Sequence, residues 1–321
     1  SLAATGAASH EGLAAFAMGS GRRAAERSRV GGPPWVLDLG CDRGQDTMFF
    51  ASLGYRVLAV DADLDSVRFL NSTVSKVIGL DMLRVLHAAI VWENGDAVAP
   101  GSLQAEVCLR GESQHSHVLA GDQAAGVARR GGRAACSSRG GVVALALRVS
   151  CRDLLEQVHP VLYMKVDLEG FDAACVASLA ALRAERSLPA YLSVEVQLAR
   201  DGHIIQLLGM LQVLRRLGYV DFKLVFQTLF CPIDHPFGCG SGPFGEDAAD
   251  ALTGAAWRSE AALVADVGEY RRRRPGNWWD LHSRHSAQVR VAAPPSLARR
   301  GGPAEGMQAV AADGPPPQDA P

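Results

Sequence analysis

The stretch WVLDLGCDRGQDTMFF, residues 35–50, decides the fold of this chain. Its apolar run carries Asp38, two glycines follow at Gly40 and Gly44, and a helical pattern begins at Gln45. A buried strand, a glycine turn and a helix in this order are typical of the first βα unit of an open α/β sheet. Because glycine permits backbone angles that other residues avoid, we expect a ligand to approach the main chain at this turn.

Further along the chain, apolar runs alternate with amphipathic segments. The next strand candidates are RVLAVDAD, RVLHAAIVW, VVALALRVS, VLYMKVDLEG, AYLSVEVQ and VDFKLVFQ. Apolar residues at helical spacing predict helices between them, notably over residues 67–77 and 204–214. Near-continuous apolar strands that alternate with helices predict an α/β fold with a doubly wound, mostly parallel sheet.

The distribution of small residues and prolines predicts four parts. We expect a flexible N-terminal segment at residues 1–33 and a central domain at 34–230 with a flexible insertion at about 120–141. Residues 231–292 are predicted to form a C-terminal extension or lid. Residues 293–321 have few large apolar side chains and are predicted to be disordered.

The composition narrows the class of protein. The 321 residues are 48% hydrophobic and 21% charged, and the formal net charge is -2, which gives no electrostatic argument for binding nucleic acid. No apolar run reaches the ~18 residues that a membrane span requires. The 7 cysteines form no CxxC pair, which predicts neither a disulfide framework nor a zinc site and favours a reducing, cytoplasmic compartment. The first residue is Ser1 rather than methionine, so a targeting segment could precede it.

The glycine turn indicates which kind of ligand to expect. A dinucleotide fingerprint G-x-G-x-x-G would require glycine where Asp42 and Gln45 stand, and Asp42 would oppose a pyrophosphate. S-adenosylmethionine, which has a positive sulfonium and no phosphate, suits this turn better. Asp61 ends the second strand, where a carboxylate can accept hydrogen bonds from both ribose hydroxyls; the alternative is that Asp61 or Asp63 caps the next helix. The predicted cofactor-binding residues are Asp38, Gly40, Asp42, Gly44 and Asp61.

A second informative stretch is MKVDLEGFD, residues 164–172. Lys165, Asp167 and Glu169 alternate along one face at the carboxyl end of a strand that should be apolar on both faces. Lys165 and Asp167 can partly compensate each other's charge, and Asp167 or Glu169 could instead cap the next helix. Ionisable groups at this end of a parallel strand indicate a functional crevice.

These two stretches, together with PAYLSVEVQ at residues 189–197, resemble the FkbM-type S-adenosylmethionine-dependent methyltransferases of the class I superfamily. The motif D-x-G-A-N-x-G is matched except that Cys41 and Asp42 replace Ala and Asn, and Asp61 stands where the family usually has Glu. The motif K-[IV]-D-[VI]-E-G and the later [IV]-x-x-E strand are matched by Lys165, Asp167, Glu169, Gly170 and Glu195.

The resemblance implies a seven-stranded sheet with an antiparallel last strand, and O-methylation of a hydroxyl on a sugar or small metabolite. Asp167 is then the preferred base or substrate anchor, with Glu169 second. Glu195 would bind a substrate hydroxyl or pair with Lys165, which is also a substrate-binding candidate. Asp167 and Glu169 could hold a divalent cation, but no histidine completes a metal set, so a metal is not favoured.

Two other functions remain possible on the same architecture: an NAD(P)-dependent oxidoreductase and a non-catalytic cofactor-binding module. The expected partner is a small-molecule or saccharide acceptor. The segment after residue 231 concentrates aromatic side chains (Phe244, Trp257, Trp278 and Trp279) and predicts either a lid with Asp280 and His282 near its polar end or a subdomain packed on the sheet. The basic run at residues 271–274 is interpreted as a solvated helix end.

Overall fold

The first strand, β1 (Trp35–Leu39), is buried along its whole length, as its apolar sequence predicts. The computed structural model describes residues 32–91, 104–109, 117–118, 133–138, 140–182, 188–226, 257–273 and 278–286. All of these belong to one unit, residues 1–289. The predicted flexibility of residues 1–31 and of the tail at 293–321 lies outside the described residues, as do residues 119–132 and 227–256.

Seven of the described strands lie where the sequence predicts them, and four are additional. The strands are β1 (Trp35–Leu39), β2 (Arg56–Asp61), β3 (Leu83–Ile90), β4 (Gln104–Leu109), β5 (His117–Val118), β6 (Val142–Val149), β7 (Val161–Val166), β8 (Tyr191–Gln197), β9 (Tyr219–Phe226), β10 (Arg258–Ser259) and β11 (Trp278–His285). The additional strands are β4, β5, β10 and β11. The helices are α1 (Gln45–Ser52), α2 (Leu64–Phe69), α3 (Ser75–Ile78), α4 (Arg133–Ser138), α5 (Cys151–Gln157), α6 (Asp172–Ser178), α7 (Asp201–Arg216) and α8 (Glu260–Arg273).

The described strands form one sheet in the order β10-β9-β11-β8-β7-β1-β2-β3-β6-β4-β5. The neighbours from β3 to β8 are parallel, and β11 is antiparallel to both β8 and β9. The α/β fold and the antiparallel last strand are therefore confirmed. The strand count of seven is wrong for this chain, because β4, β5 and β6 extend the sheet beyond β3 and the short β10 extends it beyond β9.

The strand β11 corrects the predicted boundary near residue 230. It pairs along its length with β8 and β9, so Trp278–His285 lies inside the sheet and is not a lid above it. Trp279 packs its ring against Phe226 and Tyr270, at centroid distances of 5.2 and 5.4 Å. Residues 279–282 alternate between apolar and polar as in a strand, but the adjacent tryptophans and the polar run at 283–285 concealed this pattern.

Helices cover both faces of the sheet. On one face, α1 contributes Phe49 and Phe50 to a cluster that also contains residues from the helix pair after β2. On the other face, α5, α6, α7 and α8 contribute to a larger cluster, with Leu211 and Leu263 fully buried. This double cover explains why the central strands are apolar on both sides.

Two disulfides contradict the expectation of free cysteines. Cys108 on β4 is bonded to Cys136 on α4, and Cys151 on α5 is bonded to Cys175 on α6. The first bond fixes α4 within the predicted flexible insertion at 120–141, so that prediction is wrong for residues 133–138. Sequence spacing concealed both pairs, because each joins elements that become neighbours only in the folded sheet.

No helix among the described residues is long and apolar enough to cross a membrane.

Candidate functional site

The order in which successive strands are added to the sheet reverses between β1 and β7. From β1 the chain proceeds outward through β2 and β3, whereas β7 and β8 lie on its other side. In open α/β sheets a ligand crevice forms at such a reversal, outside the carboxyl ends of the strands. At this reversal lie Gly40 after β1 and Asp167 after β7, and the N–H of Asp167 donates to the carbonyl of Leu39 at 2.9 Å.

Strand register places one residue from each of five strands in a single row, which lies at or just past the carboxyl ends of β2, β1 and β7, just before that of β8, and near the amino end of the antiparallel β11. From one end of the row to the other, these residues are Asp61, Gly40, Asp167, Glu195 and Asp280. Neighbouring strands are about 4.8 Å apart, and residues in one row point to the same face. The sequence-predicted acidic residues are therefore brought together, and Asp280 of β11 joins them.

Both glycines of the first corner are required by the protein's own packing. Gly40 and Gly44 each have φ of 79°. A Cβ atom on Gly40 would lie 1.8 Å from the carbonyl oxygen of Asp167, and one on Gly44 would lie 2.3 Å from Cδ2 of Leu70. The glycines thus allow β1 and α1 to approach their neighbours, so the glycine pattern alone does not establish a ligand.

Asp61 fixes the shape of the corner. Its Oδ2 accepts a hydrogen bond from the N–H of Asp42 at 2.8 Å, and its Oδ1 accepts one from the N–H of Asp63 at 2.8 Å. Asp63 is the helix cap, because its side chain accepts from the N–H of Asp65. Burial raises the pKa of Asp61 to about 6, although the two N–H groups lower it. Asp61 remains partly exposed, and each of its oxygens has a second lone pair.

Asp38 lies below the crevice rather than on its surface. It is fully buried, and its Oδ2 accepts a hydrogen bond from the hydroxyl of Thr47 at 2.6 Å. Its Oδ1 is buried without a hydrogen-bond partner. Burial raises the pKa of Asp38 to about 7, despite the opposing effect of Lys165. Asp38 therefore affects the glycine corner only through buried contacts within the protein.

Lys165 is not placed to bind a substrate. Its side chain is only 7% exposed, and its Nζ lies 3.0 Å from Oδ2 of Asp46 and 2.9 Å from Oδ2 of Asp167. Burial lowers the pKa of this ammonium, but the surrounding carboxylates, Asp167 first and then Asp46, raise it well above its ordinary value. The expected pairing with Asp167 is confirmed. Asp46, in the first turn of α1, was missed because a helix-start aspartate is usually solvated.

The turn after β7 is held by a residue that the motifs did not single out. Asp172 accepts hydrogen bonds from the N–H groups of Leu168 at 3.0 Å and Gly170 at 3.2 Å. Asp172 therefore holds this turn, and neither Asp167 nor Glu169 caps the following helix, which has no side-chain cap. Glu169 has a left-handed backbone with φ of 52°. Burial raises the pKa of Asp172 to about 6.

Glu195 is a carboxyl group in an acidic environment. It lies directly opposite Asp280 in the antiparallel register, and the pair with Lys165 considered from the sequence is not formed. Burial, followed by the charges of Asp167 and other nearby carboxylates, raises the pKa of Glu195 to about 9. Glu195 is therefore protonated at neutral pH and can donate as well as accept a hydrogen bond.

Below this row, β11 contributes a buried histidine. The ring of His282 lies parallel to that of Tyr163 with centroids 6.3 Å apart, and Tyr163 shares a hydrogen bond with the hydroxyl of Ser193. His282 is 1% exposed, and neither ring nitrogen has a hydrogen-bond partner. Burial and the neighbouring Lys223 lower the pKa of His282 to about 3.

Among the residues that the structure describes, no group of three or more His, Cys, Asp or Glu side chains has the arrangement of a metal site.

A family model of the tellurite resistance protein TehB matches residues 22–96, from ahead of β1 to just beyond β3. The first part of the chain is TehB-like in sequence. Two strains of Haemophilus influenzae, 10810 and Rd, each have a relative described as "Probable S-adenosyl-L-methionine-dependent methyltransferase TehB" that is 34% identical over 76 residues. These matches cover 23% of this chain and 26% of each relative, so the chain spans about a quarter of the length of the curated relatives it matches. The TehB-like segment contains the glycine corner and Asp61 but not the motifs after residue 96.

Among solved structures, this chain is 9% identical to magnesium protoporphyrin IX methyltransferase from Synechocystis PCC 6803 with bound SAH, with 88% of this chain and 90% of that one covered at a TM-score of 0.35. It is 10% identical to a TehB-like SAM-dependent methyltransferase from Corynebacterium glutamicum, with 85% and 99% covered at a TM-score of 0.29. At these TM-scores the likeness carries no argument about the function of this chain.

Proposed function

We propose that this chain is an S-adenosylmethionine-dependent methyltransferase that methylates a hydroxyl oxygen of a sugar or small metabolite, in the manner of the FkbM-type enzymes that its later motifs resemble. The observation that carries this proposal is the row of carboxyl groups at the strand reversal, with a glycine corner between Asp61 and Asp167. Such a row opposes phosphate and favours a ligand with a positive centre. The TehB-like segment, which contains the first half of this row, supports the cofactor assignment.

The residues of the first corner fit the cofactor. Asp61 has already bonded two backbone N–H groups, and its remaining lone pairs suit the two ribose hydroxyls. Asp42, at a left-handed φ of 42°, brings a second carboxylate to the same corner. Gly40 and Gly44 give the corner its left-handed backbone. When bound, S-adenosylmethionine supplies a methyl group on a positively charged sulfur.

The acceptor side of the row provides the acid–base groups. Asp167 has its Oδ2 bonded to Lys165, which leaves Oδ1 to accept the proton of an attacking hydroxyl. Glu195, protonated at neutral pH, orients the acceptor by donating a hydrogen bond to a second oxygen. Anionic acceptors are disfavoured beside Asp167 and Asp280.

Calorimetry with S-adenosylhomocysteine and NAD tests the cofactor assignment. We expect the wild type to bind S-adenosylhomocysteine and not NAD, and we expect Asp61→Ala to weaken binding about 10- to 100-fold, or about 1–3 kcal/mol, because two ribose hydroxyls lose their partner. Asp65→Ala is the matched control, since Asp65 is an exposed aspartate in the first turn of α2 that pairs with Arg68. Binding of NAD in preference to S-adenosylhomocysteine would instead support an oxidoreductase.

Release of S-adenosylhomocysteine from S-adenosylmethionine in the presence of sugars, phenols, amines and carboxylic acids tests the acceptor class. We expect turnover with hydroxyl acceptors only. Turnover restricted to amines would contradict O-methylation while leaving the methyltransferase assignment intact. Cofactor binding without turnover on any acceptor would favour the non-catalytic module.

A further inference from the structure

The buried ammonium of Lys165 joins two parts of the site that the motifs treat separately. Its Nζ lies 3.0 Å from Oδ2 of Asp46 and 2.9 Å from Oδ2 of Asp167. All three side chains are largely withdrawn from solvent, with exposed fractions of 7% for Lys165, 12% for Asp46 and 24% for Asp167. Ion pairs at such positions are screened much less than surface pairs, so both contacts restrict where the side chains lie.

Asp46 belongs to the cofactor side of the crevice. It is in the first turn of α1, two residues after Gly44, and therefore moves with the glycine corner. Its carboxylate is directed inward to Lys165 rather than outward to a ligand, which distinguishes it from Asp42 and Asp61. No motif assigned it a role.

Asp167 belongs to the acceptor side, and three contacts fix its position. Its N–H donates to the carbonyl of Leu39, its own carbonyl packs on Gly40, and its Oδ2 accepts from Lys165. The backbone contacts fix where the side chain starts, and only Lys165 fixes how the carboxylate is rotated. Because Lys165 is held from its other side by Asp46, rotation of Asp167 depends on Asp46.

We propose that Asp46 is a positioning residue that, through Lys165, holds the carboxylate of Asp167 with Oδ1 towards the acceptor. Lys165 is then a bridge between the start of α1 and the acid–base group, and not a substrate-binding residue. This proposal rests on the proposed function of Asp167. It predicts that a substitution beside the cofactor turn alters the transfer step more than it alters cofactor binding.

Steady-state kinetics of Asp46→Asn test the proposal with an acceptor found in the release assay. Asparagine keeps the shape of the side chain but removes the charge that holds Lys165. We expect kcat to fall about 10- to 100-fold, as a small misplacement of a reacting group produces, while KM for S-adenosylmethionine and the Kd for S-adenosylhomocysteine change less than about twofold. Asp65→Asn, at the same position of the neighbouring helix α2, should leave both unchanged.

A double-mutant cycle separates positioning from general damage. If Asp46 acts through Asp167, Asp46→Asn should lower kcat much less in an Asp167→Asn background than in the wild type. Fully additive losses, or a loss of cofactor affinity as large as the loss of kcat, would overturn the proposal.

Urea unfolding of the same four proteins needs no acceptor. We expect the midpoints of the two single variants to fall and the double variant to fall by less than their sum, since both substitutions break the same ion-paired group. Additive midpoint shifts would show that Lys165 does not link the two carboxylates, whatever the cofactor. Failure of the wild type to bind S-adenosylhomocysteine would overturn the proposed function but not this linkage.

Discussion

His282 is a neutral imidazole buried in the sheet directly opposite Lys223 of β9. Its pKa lies near 3 because burial and the ammonium of Lys223 disfavour the charged ring. In the unfolded chain the same ring has its ordinary value of 6.5. Between these values the unfolded state binds a proton that the native state does not, so stability is lost as the pH falls from about 6.5 towards 3.

We therefore expect His282→Phe to make stability less dependent on pH. Phenylalanine keeps an aromatic ring beside Tyr163 and has no group to protonate. Between pH 8 and pH 5, the free energy of unfolding should fall by about 2 kcal/mol more in the wild type than in the variant. Urea unfolding at the two pH values measures the difference. An equal fall in both proteins would mean that the native ring takes up a proton near its ordinary pKa.

For individual residues, the sequence predicts which side chains lie close together but not the role of each one. Asp61 and Asp167 were found from strand ends and alternation, which depend only on local pattern, whereas Glu195 was found from the family resemblance. The burial of Lys165 against Asp46 depends on how α1 lies over β7, and no spacing along the chain contains that contact. For the same reason Asp280, which faces Glu195 from β11, was not assigned to the site, and its segment was interpreted as either a lid or a subdomain packed on the sheet.

Among the elements, β11 differs most from its sequence interpretation. It lies between β8 and β9 and is antiparallel to both. No other described strand has a long antiparallel neighbour on each side. Most of the polar residues of β11 are nevertheless buried, namely Asp280, His282, Ser283 and His285. The sequence predicted an extension here because the segment lies beyond the motifs that the family resemblance covers and concentrates aromatic side chains.

Truncation tests the position of β11. A chain that ends at residue 277 loses the strand between β8 and β9, and we expect it to lack a cooperative unfolding transition because two central strands lose their partner. A chain that ends at residue 289, the limit of the compact unit, should unfold with the midpoint of the full chain. Circular dichroism during thermal unfolding measures both, and a cooperative transition in the shorter chain would contradict a central position for β11.

Helix register shows a second limit of sequence patterns. Val67, Leu70, Val74 and Val77 have helical spacing, and the first three are buried as predicted. A π-helical segment at Leu70–Val74 widens the turn, however, and Val77 is 56% exposed. Spacing predicts the buried face only while the number of residues per turn is constant.

Across the whole molecule, one disulfide joins β4 to α4 and the other joins α5 to α6. They join residues that are 28 and 24 positions apart in the chain, so each closes a loop of moderate length. In the chain-entropy description, such a bond stabilises the native state by about 3–4 kcal/mol. We expect Cys151→Ala with Cys175→Ala to lower the free energy of unfolding by about this amount.

Alkylation and mass spectrometry of the oxidised protein, compared with the reduced protein, identify the two pairs. Peptides that link Cys108 to Cys136 and Cys151 to Cys175 should appear only before reduction. Equal unfolding midpoints with and without a reductant would contradict a stabilising role for either bond.

The place of β11 also has a consequence for how the polypeptide acquires its shape during translation. Both neighbours of this strand are synthesised before it, and they run in the same direction, separated by a gap that only a later segment can fill. Until that segment emerges from the ribosome, β8 and β9 present unpaired main-chain edges, a state that invites aggregation. Nascent chains of this protein should therefore depend on chaperones up to the last stage of synthesis.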